Sequence, residues 1–560
     1  MRRVDENARV LSDPPPVLDY GRPSPTQSRR TLALVLLLVG LTLLAYLPVL
    51  RGGFIWDDDD YVTTNLAVQS PAGLRDIWAH PSATPQYYPM VFTSFWIEHA
   101  IWGLRAPGYH IVNVLLHALA AILLWRVLET LDLPGAFLAA CLFAVHPINA
   151  ESVAWIAERK NVLSAVFYFT AALVFLRGRP MWALFLFVLA LLSKSVTCSL
   201  PAALLLVIWW KHDRKLNTRE IISLALMFVI GLALAIHTAM LERTHVSAVG
   251  AEWNYSFIDR LLVAGRAVWF YLGKLILPAQ LSFVYPKWTI SPSLFWQWTF
   301  PLGVVVAVTA LWLQRDKWGR GPMVAALFFI GTLVPALGFF NIYPMRYTFV
   351  ADHYAYLASV GVIAVVAVAI DRFGRPAAVG VIALLLVLTM LRAAVFRDVE
   401  LLWRDTLAKN PDSWMVHLNL AKVLDSRHNN EETETRVHFQ RAVELAPDIP
   451  DTHLDLGTYF SNHDRFDEAI AQYRRALELN PNLPQLHYHL ARTYASMERF
   501  DDAIAEYEHA LKLRPDYPAA HLGYARALYA VRRGDEAKRE LLEAIRLDPR
   551  LAPPPRPRRN

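Results

Sequence analysis

A repeat of 34 residues in the last third of the chain is the feature that most constrains how it can fold. A proline recurs at this interval, at Pro447, Pro481, Pro515 and Pro549. Alanines recur in the same register before each proline, at Ala442, Ala476, Ala510 and Ala544. Small side chains let two antiparallel helices approach closely, and proline ends a helix because it lacks the backbone N–H group. The pattern therefore predicts a row of stacked helical hairpins.

The interval and the register are those of tetratricopeptide repeats (TPRs). One histidine position also recurs in this register, at His417, His453, His487 and His521. The first copy follows Pro411 and is irregular, with extra residues near 428–435. We predict a TPR solenoid of about four copies at 411–549 that binds a protein or peptide in its groove. A Pro/Arg-rich tail follows at 550–560.

The preceding residues, 31–400, have a different character, because apolar runs of about membrane length recur there. The predicted fold class is therefore all-α, a polytopic membrane helix bundle followed by the solenoid. The net charge of +6 is explained by arginines that flank membrane spans, so no nucleic-acid partner is predicted. Cys141 and Cys198 lie inside apolar segments, which gives no indication of a disulfide framework.

The N-terminal residues set the predicted orientation. Residues 1–30 are rich in proline, serine and arginine, which predicts a disordered basic tail in the cytoplasm. The apolar run 32–50 is predicted to be an uncleaved signal anchor.

Eleven spans are predicted, at 32–50, 110–128, 134–147, 161–176, 180–193, 197–211, 220–241, 294–313, 322–340, 354–370 and 376–392. The segment 261–277 is excluded, because Arg266 and Lys274 would each cost about 2.5–3.5 kcal/mol at a bilayer centre. It is predicted to be an amphipathic helix on the outer surface. An odd number of spans places basic loops in the cytoplasm and the TPR array on the opposite, outer side of the membrane.

Four consecutive aspartates, at 57–60, open the first predicted outer loop. Repulsion between carboxylates beside a low-dielectric surface raises some of their pKa values, which suits a general base. Asp57 and Asp58 are the candidate catalytic residues. Two other interpretations stay open: a solvated acidic turn, and a divalent-metal site, which is less favoured. No resident cofactor or metal is predicted.

Two further outer segments carry cations that a phosphate would attract. The segment 146–161 combines ionisable residues that include His146, Glu151, Arg159 and Lys160. Arg159 and Lys160 are predicted to bind a phosphate, or alternatively to pair with carboxylates of the same segment. Lys194 follows a span on the same side. It is predicted either to bind a phosphate or to extend its side chain to the lipid headgroups.

The last outer loop, 341–353, contributes Arg346, Asp352 and His353, followed by Tyr354. Ionisable residues that enter a membrane segment are costly, which makes Asp352 and His353 functional candidates. The sequence contains no P-loop, Rossmann fingerprint or metalloprotease motif. A soluble nucleotide-sugar site is therefore not predicted, and a sugar donor should arrive through the membrane.

In these segments the chain resembles the transmembrane and tetratricopeptide-repeat O-mannosyltransferase family and its bacterial relatives, which have the glycosyltransferase class C fold. The segments that carry the resemblance are 53–61, 87–102, 108–125, 146–161, 192–197 and 351–361. The resemblance implies a polyprenyl-phosphate sugar donor, a protein hydroxyl as acceptor, and a catalytic acidic pair at Asp57 and Asp58. Many members have an arginine where this chain has His353, so Arg346 is a candidate for supplying the missing guanidinium.

The predicted function is that of an inverting, metal-independent glycosyltransferase of the bacterial inner membrane, with the TPR array in the periplasm. Asp57 or Asp58 would accept the proton of the acceptor hydroxyl, and Lys194, Arg159 and Arg346 would stabilise the leaving phosphate. His146 and Glu151 would position the sugar or the phosphate, and the TPR groove would recruit the acceptor. Two alternatives stay open: a non-catalytic, membrane-anchored TPR scaffold for envelope assembly, and the same fold acting on a lipid or glycan acceptor.

Overall fold

The computed structural model describes residues 25–211, 215–244, 254–427 and 432–552. These ranges contain helices and turns but no strand, which confirms the predicted all-α class. Most of the predicted N-terminal tail (1–24) and C-terminal tail (553–560) lies outside the described residues. The first helix, Pro25–Ala45, begins inside the segment 1–30 that the sequence assigned to a disordered tail, so residues 25–30 are helical instead.

The part of the chain before the repeats is built mainly from long apolar helices. Their bounds are Pro25–Ala45, Pro89–Trp102, Ala106–Thr130, Ala136–Ala144, Arg159–Leu176, Pro180–Leu191, Leu200–Lys211, Thr218–Thr244, Phe257–Ile276, Thr299–Leu313, Gly321–Leu333, Ala355–Asp371 and Arg375–Val395. Shorter helices at Leu66–Gln69, Gly73–Ala79 and Ala150–Ala154 shape the connections.

Within the described ranges, seven helices are long and apolar enough to cross a membrane. An eighth arises if the bent pair Ala136–Ala144 and Pro147–Ala154 is one broken span. Three further apolar helices are shorter, at Pro180–Leu191, Ser195–Lys211 and Gly321–Ala336. Each predicted span coincides with one of these elements, so the chain is a multi-pass membrane protein, and the number of crossings stays a prediction.

The segment 261–277 forms part of the helix Phe257–Ile276, which is apolar on one face. Ser256 and Asp259 form a reciprocal capping box at its start. Gly265 allows close packing on the next helix, because a Cβ atom there would lie 2.5 Å from the nitrogen of Pro301. Arg266 lies over the ring of Trp288, at 4.3 Å from its centroid, so its charge is covered by an aromatic face. The side of the membrane on which this helix lies stays a prediction.

Four helical hairpins form the C-terminal solenoid and confirm the TPR prediction. They are Trp414–Ser426 with Glu432–Leu445, Pro450–Asn462 with Phe466–Leu479, Pro484–Ser496 with Phe500–Leu513, and Pro518–Ala530 with Gly534–Leu547. The small residues act as the pattern predicts, since a Cβ atom at Gly457 would lie 2.8 Å from the ring of Tyr473.

The helix Val399–Lys409 connects the membrane part to the solenoid, and its Leu402, Trp403 and Thr406 are buried. The buried ring of Trp403 lies 5.6 Å from the rings of both Trp56 and Phe283. Lys409 donates a hydrogen bond of 2.8 Å to the carbonyl of Leu281. The repeats therefore begin beside the loop that carries the aspartate run.

Alkaline phosphatase fused after Asn410 is expected to be active, because eleven spans place this point in the periplasm. A fusion after Leu216, in a predicted cytoplasmic loop, is the matched control and should be inactive. Activity of a cytoplasmic reporter at Asn410, with alkaline phosphatase silent there, would show an even number of spans. The repeats would then face the cytoplasm.

Candidate active site

Four of the predicted outer segments are joined by direct hydrogen bonds into one polar cluster. The carboxylate of Asp58 connects the first loop to the second, because its two oxygens accept from the backbone N–H groups of Ile55 (2.9 Å) and Ala157 (2.8 Å). Asp58 is fully buried. Asp58 therefore holds the aspartate run against the segment 146–161.

Asp57 has a different environment from its neighbour. Trp56 adopts a left-handed backbone conformation with φ 44°, which is uncommon for a bulky residue and is held here by stacking on Trp155 at 5.5 Å. Asp57 follows this turn and is partly exposed. Its carboxylate accepts no hydrogen bond from the residues that the structure describes, so its oxygens stay available for a substrate proton.

The electrostatic environment of Asp57 suits a base near neutral pH. Burial raises the pKa of Asp57 to about 6, the ammonium group of Lys160 opposes this rise, and the carboxylates of Asp60 and Glu158 add to it. A general base works best with a pKa near the working pH. The remaining aspartates are engaged differently, since Asp59 accepts a hydrogen bond of 2.7 Å from the hydroxyl of Thr63.

Glu158 is the centre of the cationic part of the cluster. Its Oε1 lies 2.9 Å from Nζ of Lys160, and its Oε2 lies 3.2 Å from Nζ of Lys194. Lys194 also donates to Oδ1 of Asn161 at 2.8 Å. Burial lowers the pKa of Lys194 to about 8, and the negative charge of Glu158 opposes this effect. One carboxylate thus faces two ammonium groups, so their positive charge can also attract a second anion.

His353 lies between two carboxylates. Its Nδ1 donates to Oε1 of Glu151 at 2.6 Å, and its Nε2 lies 4.0 Å from Oε1 of Glu158. The ring of Tyr354 packs on the imidazole at 4.3 Å. Asp352 is buried next to them and accepts a hydrogen bond of 2.7 Å from the hydroxyl of Tyr285. The structure therefore brings Glu151, Lys194 and the three residues from Asp352 to Tyr354 together as predicted.

Arg159 does not join this cluster, contrary to the prediction that it binds a phosphate. Its guanidinium is fully buried and forms a bidentate ion pair with Glu98. It also donates to the side chains of Asn113 and Ser94 and to the carbonyl of Tyr109. Because its donors are already engaged, Arg159 holds the helix Pro89–Trp102 against the bundle.

His146 has a structural position as well. Its Nε2 donates to the carbonyl of Leu275 at 3.0 Å, and its Nδ1 accepts from the N–H group of Ile148 at 3.2 Å. Both ring nitrogens are thus used by the backbone. The prediction that His146 contacts sugar or phosphate does not fit this geometry.

Arg346 lies at the TPR array instead of in the polar cluster. Its Nη2 is 3.0 Å from Oδ2 of Asp451, in the second hairpin, and its guanidinium lies 5.5 Å from the ring of Trp414. The prediction that Arg346 replaces the missing guanidinium beside His353 is therefore not supported. The residue connects the loop 341–353 to the repeats.

Several residues of the cluster were missed as site residues in the sequence. In the sequence Glu158 and Asn161 are only members of the segment 146–161, and Lys160 has two predicted partners, a phosphate or a carboxylate. The structure shows the carboxylate contact with Glu158 and also places Nζ of Lys160 at 3.4 Å from the hydroxyl of Tyr61. The signal available in the sequence was the order of charges at 158–160, which did not reveal that Glu158 bridges two lysines.

Known proteins with similar sequences are protein O-mannosyl-transferases. One from Caenorhabditis elegans is 25% identical over 465 residues, which are 77% of this chain and 65% of that protein. Protein O-mannosyl-transferase TMTC4 of Mus musculus is 25% identical over 483 residues, 70% of this chain and 64% of the relative. TMTC2 of Mus musculus is 35% identical over 148 residues, 24% of this chain and 18% of the relative. The predicted family resemblance is confirmed.

The chain covers less than two thirds of the length of these relatives. The C-terminal hairpins match family models described as Tetratricopeptide repeat, at residues 495–552, and TPR repeat, at residues 464–498. The similarity to the O-mannosyl-transferases and the TPR matches both agree with the architecture described above.

Proposed function

We propose that this chain is a membrane glycosyltransferase that transfers a sugar from a polyprenyl-phosphate donor to a hydroxyl group of a protein. The observation that carries the proposal is the polar cluster: a partly exposed carboxylate, Asp57, lies in the electrostatic field of Lys160 and Glu158, and Glu158 bridges to Lys194. The similarity to protein O-mannosyl-transferases supports the same reaction class.

In the proposed reaction Asp57 accepts the proton of the acceptor hydroxyl. At the same time the oxygen of that hydroxyl forms a bond to the anomeric carbon of the sugar. The bond between that carbon and the phosphate oxygen breaks, and the lipid phosphate leaves with the electron pair. A single displacement of this kind inverts the anomeric configuration. Lys160 and Lys194 stabilise the negative charge that grows on the phosphate, since charge-assisted contacts with phosphate oxygens are strong.

Two buried polar atoms beside the cluster suit a sugar. Oε2 of Glu151 and Nε1 of Trp155 are buried and have no hydrogen-bond partner among the described residues. A buried polar group without a partner costs about 1–3 kcal/mol, so such groups often mark a ligand position. A sugar hydroxyl can donate to Glu151 and accept from Trp155. His353 holds Glu151 in place through its Nδ1.

An apolar cavity of about 300 Å³ is suited to the polyprenyl chain of the donor. It lies between the helices Phe257–Ile276, Thr299–Leu313, Gly321–Leu333 and Ala355–Asp371, and apolar side chains line it. The last of these helices begins directly after Tyr354. A lipid tail in the cavity would therefore lie along a helix that starts at the polar cluster.

The TPR array is proposed to recruit the acceptor protein. Its connecting helix packs through Trp403 on Trp56, the residue before Asp57. A segment bound in the groove would thereby be held near the base, which raises its effective concentration.

The function is tested by transfer of label from a polyprenyl-phosphate sugar by the purified chain in detergent. We expect label on a protein acceptor that contains Ser and Thr, and none when the acceptor is a lipid or a free glycan. Transfer to the lipid or glycan instead would support a glycosyltransferase but contradict the protein acceptor. If the donor is not consumed with any of the acceptors, the scaffold function would be favoured.

The rate of transfer is expected to depend on pH with a maximum between about 6 and 8. Asp57 must be ionised to accept a proton, so activity falls as the pH drops below its pKa of about 6. Lys194 must be charged to bind the phosphate, so activity falls as the pH rises above its pKa of about 8. The measurement is kcat/KM for the donor across this range.

Lys194→Arg is the matched control for the alkaline fall, because arginine keeps its charge at this pH. The fall near pH 8 should disappear in this variant, whatever its absolute rate. If activity still falls above pH 8 in this variant, the fall is caused by a group other than Lys194.

A further inference from the structure

Each TPR hairpin has a histidine on its first helix that contacts a polar residue on its second helix. In three hairpins this contact follows the same 19-residue spacing: His453 with Gln472 at 2.8 Å, His487 with Glu506 at 2.7 Å, and His521 with Glu540 at 2.6 Å. In the first hairpin His417 contacts His438 at 2.8 Å. The contact is therefore an ordinary structural feature of the array.

The third hairpin differs at the position one helical turn further on. Residues three apart on a helix lie on the same face, so this position adjoins the contact. It is occupied by Arg441, Arg475, His509 and Glu543 in the four hairpins in chain order. Only the third hairpin therefore adds a second imidazole beside the histidine–carboxylate pair.

His487, Glu506 and His509 form a group whose ligand atoms are close enough to share one metal ion. Their ligand atoms all lie within 4.8 Å of one another. The rings of His487 and His509 are 5.4 Å apart at 77° to each other. Zinc binds imidazole nitrogen at about 2.0–2.1 Å and carboxylate oxygen at about 2.0–2.2 Å, so a small rotation of the exposed His509 closes the group around an ion.

The ring of His487 has a fixed orientation, as do the equivalent histidines of the other hairpins, which bond to a proline carbonyl six residues earlier in the same way. Its Nε2 donates to the carbonyl of Pro481 at 3.3 Å, which leaves Nδ1 directed at Glu506. Metal-binding histidines commonly donate their second N–H group to a backbone carbonyl in this way. An ion that binds Nδ1 of His487 displaces the proton that this nitrogen donates to Glu506.

We propose that the third TPR binds a divalent first-row transition-metal ion, of which Zn²⁺ is the natural probe, through Nδ1 of His487, the carboxylate of Glu506 and a ring nitrogen of His509. Two imidazoles and one carboxylate suit such ions, whereas Ca²⁺ and Mg²⁺ prefer oxygen ligands. Three protein ligands leave the fourth position of a tetrahedral ion open to water. The ion connects the two helices of the hairpin.

The test uses the full-length protein in detergent, purified with a tag that contains no histidine and stripped of metal with a chelator. Equilibrium dialysis against Zn²⁺ gives stoichiometry and affinity, and absorption of Co²⁺ reports its coordination geometry. His509→Arg installs the residue that the second hairpin carries at this position. We expect this exposed substitution to weaken binding of one Zn²⁺ equivalent by about 100-fold or more, since even an outer partner of a ligand contributes about 10–100-fold.

Two matched variants sharpen the result. His453→Gln changes the equivalent histidine of the second hairpin, where Gln472 and Arg475 replace the carboxylate and the second imidazole, and should leave Zn²⁺ binding unchanged. Glu543→His reproduces the three ligands in the fourth hairpin, next to His521 and Glu540, and should add a second Zn²⁺ equivalent. Equal Zn²⁺ binding by the wild type and His509→Arg overturns the proposal, as does loss of binding in His453→Gln of the same size as in His509→Arg.

Discussion

Replacement of Asp57 by asparagine is expected to lower kcat for sugar transfer by about 10²–10⁴-fold, the range that a general base contributes. Asparagine has nearly the same size as aspartate but accepts no proton at neutral pH. Because Asp57 accepts no hydrogen bond from the residues that the structure describes, the exchange should disturb little else. The KM for the donor and the apparent melting temperature should therefore stay close to those of the wild type.

Two neighbouring substitutions separate catalysis from structure. Asp59→Asn changes an exposed member of the same run, whose carboxylate is bonded only to the hydroxyl of Thr63 among the described residues, and should keep near wild-type activity. Asp58→Asn places an amide N–H group against the backbone donors of Ile55 or Ala157, and should lower the melting temperature together with activity. If Asp57→Asn retained full activity with an unchanged melting temperature, the aspartate run would not contain the base.

The sequence predicted the helices and the repeats well, because both depend on local periodicity. Apolar runs reveal helices through their length, and the 34-residue interval of prolines reveals the hairpins through the close packing that it requires. The predicted outer loops also gather as expected, with Asp58 bonded to Ala157 and Lys194 bonded to Glu158. Charge-based topology places segments on one side, but it does not say which side chains meet there.

The predicted side-chain roles that the geometry does not support involve residues whose partners lie far along the chain. Arg159 is paired with Glu98, 61 residues earlier, and His146 is bonded to Leu275, 129 residues later. Arg346 meets Asp451 of the second TPR hairpin. A polar group in a loop can be satisfied by any partner that the fold brings to it, and the sequence does not reveal which one.

The two aspartates of the predicted catalytic pair show the same limit at closer range. Asp57 and Asp58 are adjacent and identical, so no composition or spacing argument separates them. The left-handed backbone at Trp56 separates them, because it turns one carboxylate onto two backbone N–H groups and leaves the other facing the cluster.

Removal of the negative charge of Glu98 is expected to destabilise the fold strongly. Glu98→Gln would leave the guanidinium of Arg159, which is fully buried, without its counter-charge. Breaking one partner of a buried ion pair costs about 3–5 kcal/mol, because the remaining charge stays buried. The expected result is a lower apparent melting temperature and a lower yield of folded protein in detergent.

The double variant Glu98→Met with Arg159→Met provides the control for this prediction. Replacing both ions by apolar side chains of similar volume removes the buried charge, so stability should recover at least in part. At a temperature where this double variant is folded, its KM for the polyprenyl-phosphate donor should equal that of the wild type. The reason is that all three guanidinium nitrogens of Arg159 donate to residues outside the cluster. Recovery of the melting temperature together with a large rise in KM would instead return Arg159 to the phosphate site that its position in the sequence suggested.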